Sequence, residues 1–260
     1  MLHRLSKEGL ICITQPNHAW VSGQLAQAWG NEHFGQVVPT QAVCLGAEQH
    51  DIGWLKWEES PTLNPHTGYP YRFSELPTQA HIDIWSNAQQ LAKPLGRYAA
   101  LLISLHGTRL YERFTSWKNS KESTQLVQKF LEHEYAFQEQ LTATLKHDPY
   151  YSPYVMPEVI RRNRMLVATW DAISLIVCQN LQDEQVEQVP TVDGETTLKL
   201  TNINDDPHLV AVSPWPFQDS QVTLVYEGRL LRETFTDEVA MREALRSDCW
   251  VTLSTTLKLA

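Results

Sequence analysis

The sequence predicts a mainly α-helical bundle with a small β-rich element at its C-terminal end. Two observations carry that expectation. Apolar residues recur at helical spacing in most segments up to about residue 181. Beyond it the texture turns to short β-branched runs divided by turn residues. The expected division is therefore a helical domain over 1–181 and a β-rich segment over 182–260 packed on the same core.

Gly9 to Thr14 reads as a short strand that ends at the turn signal Gln15-Pro16-Asn17, and it is a candidate to pair with the C-terminal strands. From Asn17 to Trp29, Val21, Leu25, Ala28 and Trp29 share a helix face, with Asn17 as a suitable N-cap. Thr40 to Leu55 reads as a second helix. Glu58 to Pro77 holds Pro61, Pro65, Pro70 and Pro77 around Gly68, and reads as a long loop. Loops of that length in compact domains often cover a site. Placed just after His50 and Asp51, this one is expected to act as a lid carrying His66, Tyr69, Tyr71 and Arg72. Helices resume at about 82–91, 97–114, 121–146 and 155–181. Residues 182–190 read as an acidic, polar connection. The runs 196–201, 209–212, 222–226 and 250–258 are β-rich.

Composition excludes several roles. The chain has 260 residues, of which 42% are hydrophobic and 20% charged, the balance of a folded domain. A formal charge of −9 opposes phosphate backbones, so nucleic acid is not an expected partner. The one dense basic cluster, Arg161, Arg162 and Arg164, is too short to track a duplex. No apolar run is long enough to span a membrane, and no signal peptide is evident. Cys12, Cys44, Cys178 and Cys249 are scattered without a CxxC pair, which favours reduced thiols and a cytoplasmic protein.

The chemistry gathers around a few residues. His50-Asp51, at the end of an apolar helix and followed by Ile52-Gly53, offers an imidazole nitrogen and a carboxylate oxygen to one cation. Asp171 lies in the apolar run 165–178, so its charge needs a partner. That partner is a metal, or else Arg161, Arg164 or the hydrogen-bonding groups of a helix end. His18 opens the first helix and reads as a ligand or as a capping histidine. His106 ends the apolar run 99–106 and reads as a site residue or as a core histidine. His133, on a charged helix, reads as a solvated residue.

Together these residues resemble the HD-domain superfamily, whose order is His, then His-Asp, then a later Asp. His18, the His50-Asp51 doublet and Asp171 match those positions. More narrowly, the chain resembles an uncharacterised bacterial family, domain of unknown function 3891. The matching residues are Thr-Gln-Pro-Asn-His (14–18), His-Asp-Ile-Gly-Trp (50–54), Leu-Leu-Ile-Ser-Leu-His (101–106), Trp-Asp-Ala-Ile-Ser-Leu (170–175) and Pro-Trp-Pro-Phe (214–217). The superfamily resemblance implies an HD-type bundle. It also implies a divalent transition metal (Mn, Fe, Zn, Co or Ni) held by His18, His50, Asp51 and Asp171. The implied activity is metal-assisted hydrolysis of a small phosphorylated or related ester. His106, Arg109 and Arg72 are the candidate catalytic residues, with Lys56 and Arg161 as further candidates to clamp a phosphate. Some HD-type proteins hold two metals, and a few of those are di-iron oxygenases. The order His18, His50-Asp51, His106, His133, Asp171 keeps that alternative open, beside a non-catalytic binding protein.

Overall fold

A computed structural model describes residues 1–247 and 249–260. The chain opens with a hairpin, β1 (Leu2–Ser6) and β2 (Gly9–Ile13), and passes into α1 (Gln15–Ala28). Thr14, not Asn17, caps that helix: its hydroxyl accepts from the Asn17 N–H at 3.2 Å, and Pro16 occupies the first turn. After α2 (Thr40–Glu48) come a turn at His50-Asp51 and the short α3 (Leu55–Glu58). A two-stranded ribbon, β3 (Leu63–Asn64) and β4 (Tyr69–Pro70), leads to α4 (Thr78–Ala92). The long helices α5 (Arg97–Arg113), α6 (Lys121–Lys146) and α7 (Pro157–Gln179) follow. The remainder is β5 (Glu184–Pro190), β6 (Glu195–Asn202), β7 (Leu209–Ser213), β8 (Gln221–Leu231), α8 (Glu238–Arg246) and β9 (Trp250–Leu259).

The expected mainly helical bundle is overturned. About half the chain is helical, but a curled seven-stranded sheet in the order β1-β2-β8-β9-β7-β6-β5 forms a full layer, so the fold is α/β. Two physical features hid the sheet. The strand expected at residues 9–14 does pair with a C-terminal strand, Leu10 against Leu231, but its hairpin partner β1, absent from the sequence expectation, extends the sheet by one more. The stretch read as an acidic connection is edge strand β5, whose alternation is broken by a bulge between Val186 and Val189, with Gln188 at φ 58°.

Strand burial alternates, most regularly in β8, so one face of the sheet is apolar. Helices α1 and α7 pack against it, and α2 and α5 pack on them. Helices α4 and α6 lie outside α5. Trp29, Trp170, Phe34 and Phe217 meet edge to face in the joint between helices and sheet. The site residues lie on α1, α5, α7 and the turn after α2, at the centre of the helical layer.

The expected lid lies elsewhere. Residues 58–77 are tied to both ends of the chain. Glu238 accepts from the Leu63 N–H at 2.8 Å, and Arg242 donates to the Pro61 carbonyl at 3.0 Å. The Phe235 N–H bonds the Gly68 carbonyl, and the Phe73 N–H bonds that of Met1. Leu63 and Tyr69 pack in a second apolar cluster with Met1, Leu10, Met241 and Leu245. Helix α8, which the sequence reading missed, therefore fastens this loop to the outside of the sheet.

Candidate metal centre

Four candidate ligands, two imidazoles and two carboxylates, reach one point because rigid elements carry or flank them. His18 is in the first turn of α1, and Asp171 is midway along α7. His50 and Asp51 sit in the turn that closes α2, pinned by a 2.7 Å bond from His50 Nδ1 to the Ala47 carbonyl. Gly53, two residues on, lets that turn approach α4: a Cβ there would lie 2.4 Å from the Ile84 carbonyl oxygen. His18 and His50 are fully buried, Asp51 nearly so, and the Asp171 side chain alone is partly open, at 16% exposure.

The distances are short. His18 Nε2 lies 2.7 Å from Asp51 Oδ2, and His50 Nε2 lies 3.6 Å from the same oxygen. Asp171 Oδ1 is 3.5 Å from His50 Nε2 and 3.8 Å from His18 Nε2. His106 joins from α5, its Nε2 3.9 Å from Asp171 Oδ2, with its ring 4.6 Å from that of His50. Among the described residues, two triads could hold an ion: His18, His50 and Asp51, and His50, His106 and Asp171.

The hydrogen-bond network assigns the tautomers. The Ser174 hydroxyl donates to the Asp171 carbonyl at 2.8 Å, so its oxygen accepts from His18 Nδ1–H at 2.7 Å. His50 spends its Nδ1–H on Ala47. Both Nε2 atoms therefore face the two carboxylates, and His50 Nε2 has no hydrogen-bond partner. Burial opposes charge on all of these groups, but the local pairs prevail. Despite burial, the Asp51 and Asp171 carboxylates push His50 up to about 9. Against the same burial, His50 and the His18 hydrogen bond hold Asp51 low. His50, 3.5 Å away, and then the charges of His106 and His18 hold Asp171 below the usual carboxylate range. His106 is driven down to about 4 by burial and then by His50.

The alternative partners for Asp171 are engaged elsewhere: Arg161 meets Glu195 at 3.5 Å and Arg164 meets Glu112 at 2.5 Å. Arg109 shares a cleft with Ala172, the chain neighbour of Asp171; burial lowers its pKa, as do Arg113 and Arg164, while Asp171 supports its charge. Arg72 is not brought in; it is exposed and bonds His3 at 3.4 Å. His133 is exposed and reaches only Gln89, at 3.4 Å, while its neighbour Glu134 takes the buried position. Sequence reasoning missed two features. Ser174 shows only as a polar residue three positions after Asp171. Arg113 continues the His106–Arg109 face of α5, and that spacing is a legible signal. Arg109 and Arg113 line a small cleft of about 120 Å³ with Ala168 and Ala172 of α7 and Gln185 and Glu187 of β5.

The family described as "Protein of unknown function (DUF3891)" matches residues 1–233. The chain belongs to that family. Its match covers every residue of the cluster and ends before α8 and β9. No curated protein and no solved structure matches the chain. Among the described residues, no helix is long and apolar enough to cross a membrane.

Proposed function

We propose that this DUF3891 protein is a metal-dependent hydrolase of a small phosphorylated or related ester. The observation that carries the reading is the pair of backward-bonded imidazoles. His18 and His50 both turn Nε2 toward Asp51 and Asp171, in a buried space that opens only at the Asp171 side chain. Two nitrogen lone pairs and two carboxylates at 2.7–3.8 Å repel one another unless protons or a cation lie among them. Imidazoles that hold metals use their other N–H in this way, on a hydroxyl or a backbone carbonyl. The donor set suits Mn, Fe, Co, Ni or Zn.

His18, His50, Asp51 and Asp171 would hold the ion, with His106 as a fifth donor. Both triads draw on the same His50 Nε2, so they describe one centre and not two. The two-metal alternative needs His133, which is exposed. His106, kept neutral near pH 7, suits a ligand role better than carrying a proton. The order of these residues is that of the HD superfamily, which supports hydrolysis through the ligand set alone.

A cation bound there would polarise a phosphoryl or carbonyl oxygen and acidify a water. Asp171, the partly open ligand, marks the side of approach. Arg109 and Arg113, neither of them in an ion pair among the described residues, would neutralise and orient the anionic part of the substrate. The four unpaired cysteines support a cytoplasmic location. The test is metal-depleted protein reloaded with each of the five metals and assayed on phosphomonoesters, phosphodiesters and carboxylic esters. Metal-dependent turnover that is lost in Arg109→Ala with the metal retained is the expected result. Bound metal without turnover on any ester contradicts the hydrolase reading.

A further inference from the structure

A second cavity, of about 510 Å³, opens between the start of α4, the end of α5 and residues 73–76, 116–117 and 123. Its volume falls in the range of small-molecule sites. Phe73, Leu76, Tyr111, Phe114 and Trp117 line it, and no lining side chain carries a fixed charge, although one residue in five of the chain is charged. A charged ligand would lose its hydration there and gain no counter-ion. Phe114 is 60% exposed at the rim, with the Arg113 guanidinium 5.5 Å from its ring centre and outside the cavity lining.

The polar groups of the wall are mostly spent. The Trp117 indole N–H donates to the Tyr111 carbonyl at 2.9 Å, and the Ser123 hydroxyl to Thr78 at 3.3 Å. Ser74 and Ser116 lie at the exposed rim, and deeper in the wall the free polar group is the pair His81 and Tyr111, with Nδ1 and Oη 2.6 Å apart. Burial keeps His81 neutral, near 4, against the raising influence of Asp51. A neutral imidazole and a phenol hold two polar hydrogens between them, and their mutual bond uses one. Whichever atom donates, one N–H or O–H remains to the pair, and both residues line the cavity.

We propose that this cavity binds an uncharged aromatic molecule bearing a hydrogen-bond acceptor such as a ring-conjugated carbonyl. The aromatic walls take its faces and the His81–Tyr111 pair takes its acceptor. The site is separate from the acidic cluster: His81 packs on Trp85, whose ring lies 5.8 Å from that of His106. It stands whether or not a cation is held behind that wall.

The test uses prodan, an uncharged naphthyl ketone whose emission moves to the blue when it leaves water, with anilinonaphthalene sulfonate as its anionic counterpart. Prodan should saturate at one per chain and bind at least about tenfold more tightly than the sulfonate. Phe114→Glu and Ser74→Arg, both at exposed rim positions, should each weaken prodan by at least about tenfold. Saturating Zn or Mn, which the acidic cluster would take, should leave prodan binding unchanged. Non-saturating emission, equal binding of the sulfonate, or indifference to both rim variants overturns the proposal.

Discussion

Ser174→Ala separates a metal centre from a merely buried polar cluster. The substitution deletes the oxygen that accepts the His18 Nδ1–H at 2.7 Å. His18 is fully buried, so water cannot take its place. Ser22 keeps an acceptor in the His18 carbonyl at 3.5 Å, so the loss falls mainly on His18. A buried donor without a partner costs about 1–3 kcal/mol, and the metal-free variant should unfold in urea that much more easily. Removing the outer partner of a ligating imidazole weakens metal binding about 10–100-fold. At saturating cation that is a further ~1.4–2.7 kcal/mol of lost stabilisation. The gap between wild type and variant should therefore widen to roughly 2–6 kcal/mol when the cation is added. The assay is a pair of urea titrations, with and without Mn, Co or Zn, together with a direct affinity measurement. A gap of the same size in both conditions, with affinity unchanged within about twofold, refutes the ligand role of His18.

Gly53→Ala sets a Cβ 2.4 Å from the Ile84 carbonyl oxygen. The expected cost is about 1–3 kcal/mol or more in chemical denaturation, and a neutral result contradicts the close approach of the His50-Asp51 turn to α4. Cation affinity should rise with pH, because His50 at about 9 holds a proton that the ion must displace; titration calorimetry in buffers of different ionisation enthalpy should detect that proton. In the metal-free protein the same raised value makes the His50 contribution full below 6.5 and lost as pH rises through about 9, so stability should fall over that range. His106, lowered to about 4, acts in the opposite sense in acid, and its contribution is lost as pH falls from 6.5 toward 4. A flat stability profile from pH 6.5 to 9 would sink the His50 assignment.

The gathering of His18, His50, Asp51 and Asp171 at one point was legible because their chemistry is local. A His-Asp doublet closing an apolar helix and a carboxylate inside an apolar run both need partners, whatever the fold. The long helices were legible by their periodicity; the α6 stripe Val127, Phe130, Phe137, Leu141 and Leu145 keeps one face down. The sheet was not, because its joints are long-range. The pairing of β2 with a C-terminal strand was anticipated, but β1 beside it and the parallel run of β7 along β9 leave no trace in a short window. The loop over 58–77 has the composition of a lid. Its position is decided by α8, where Asp237 caps the helix and Met241 and Leu245 give too short an apolar pattern to stand out. Arg72 and Arg109 looked equivalent as basic residues near the motifs, and only the packing of α5 beside α7 brings Arg109 toward Asp171.

Metal content after reconstitution tests the account most directly. Protein stripped with a chelator, titrated with Mn, Fe, Co, Ni and Zn and freed of loose metal, should retain one ion per chain. His133→Ala should retain the same amount, and Asp51→Ala none. Retention of no ion by the wild type, of two ions per chain, or of one ion by Asp51→Ala would each contradict a single centre built on His18, His50, Asp51 and Asp171.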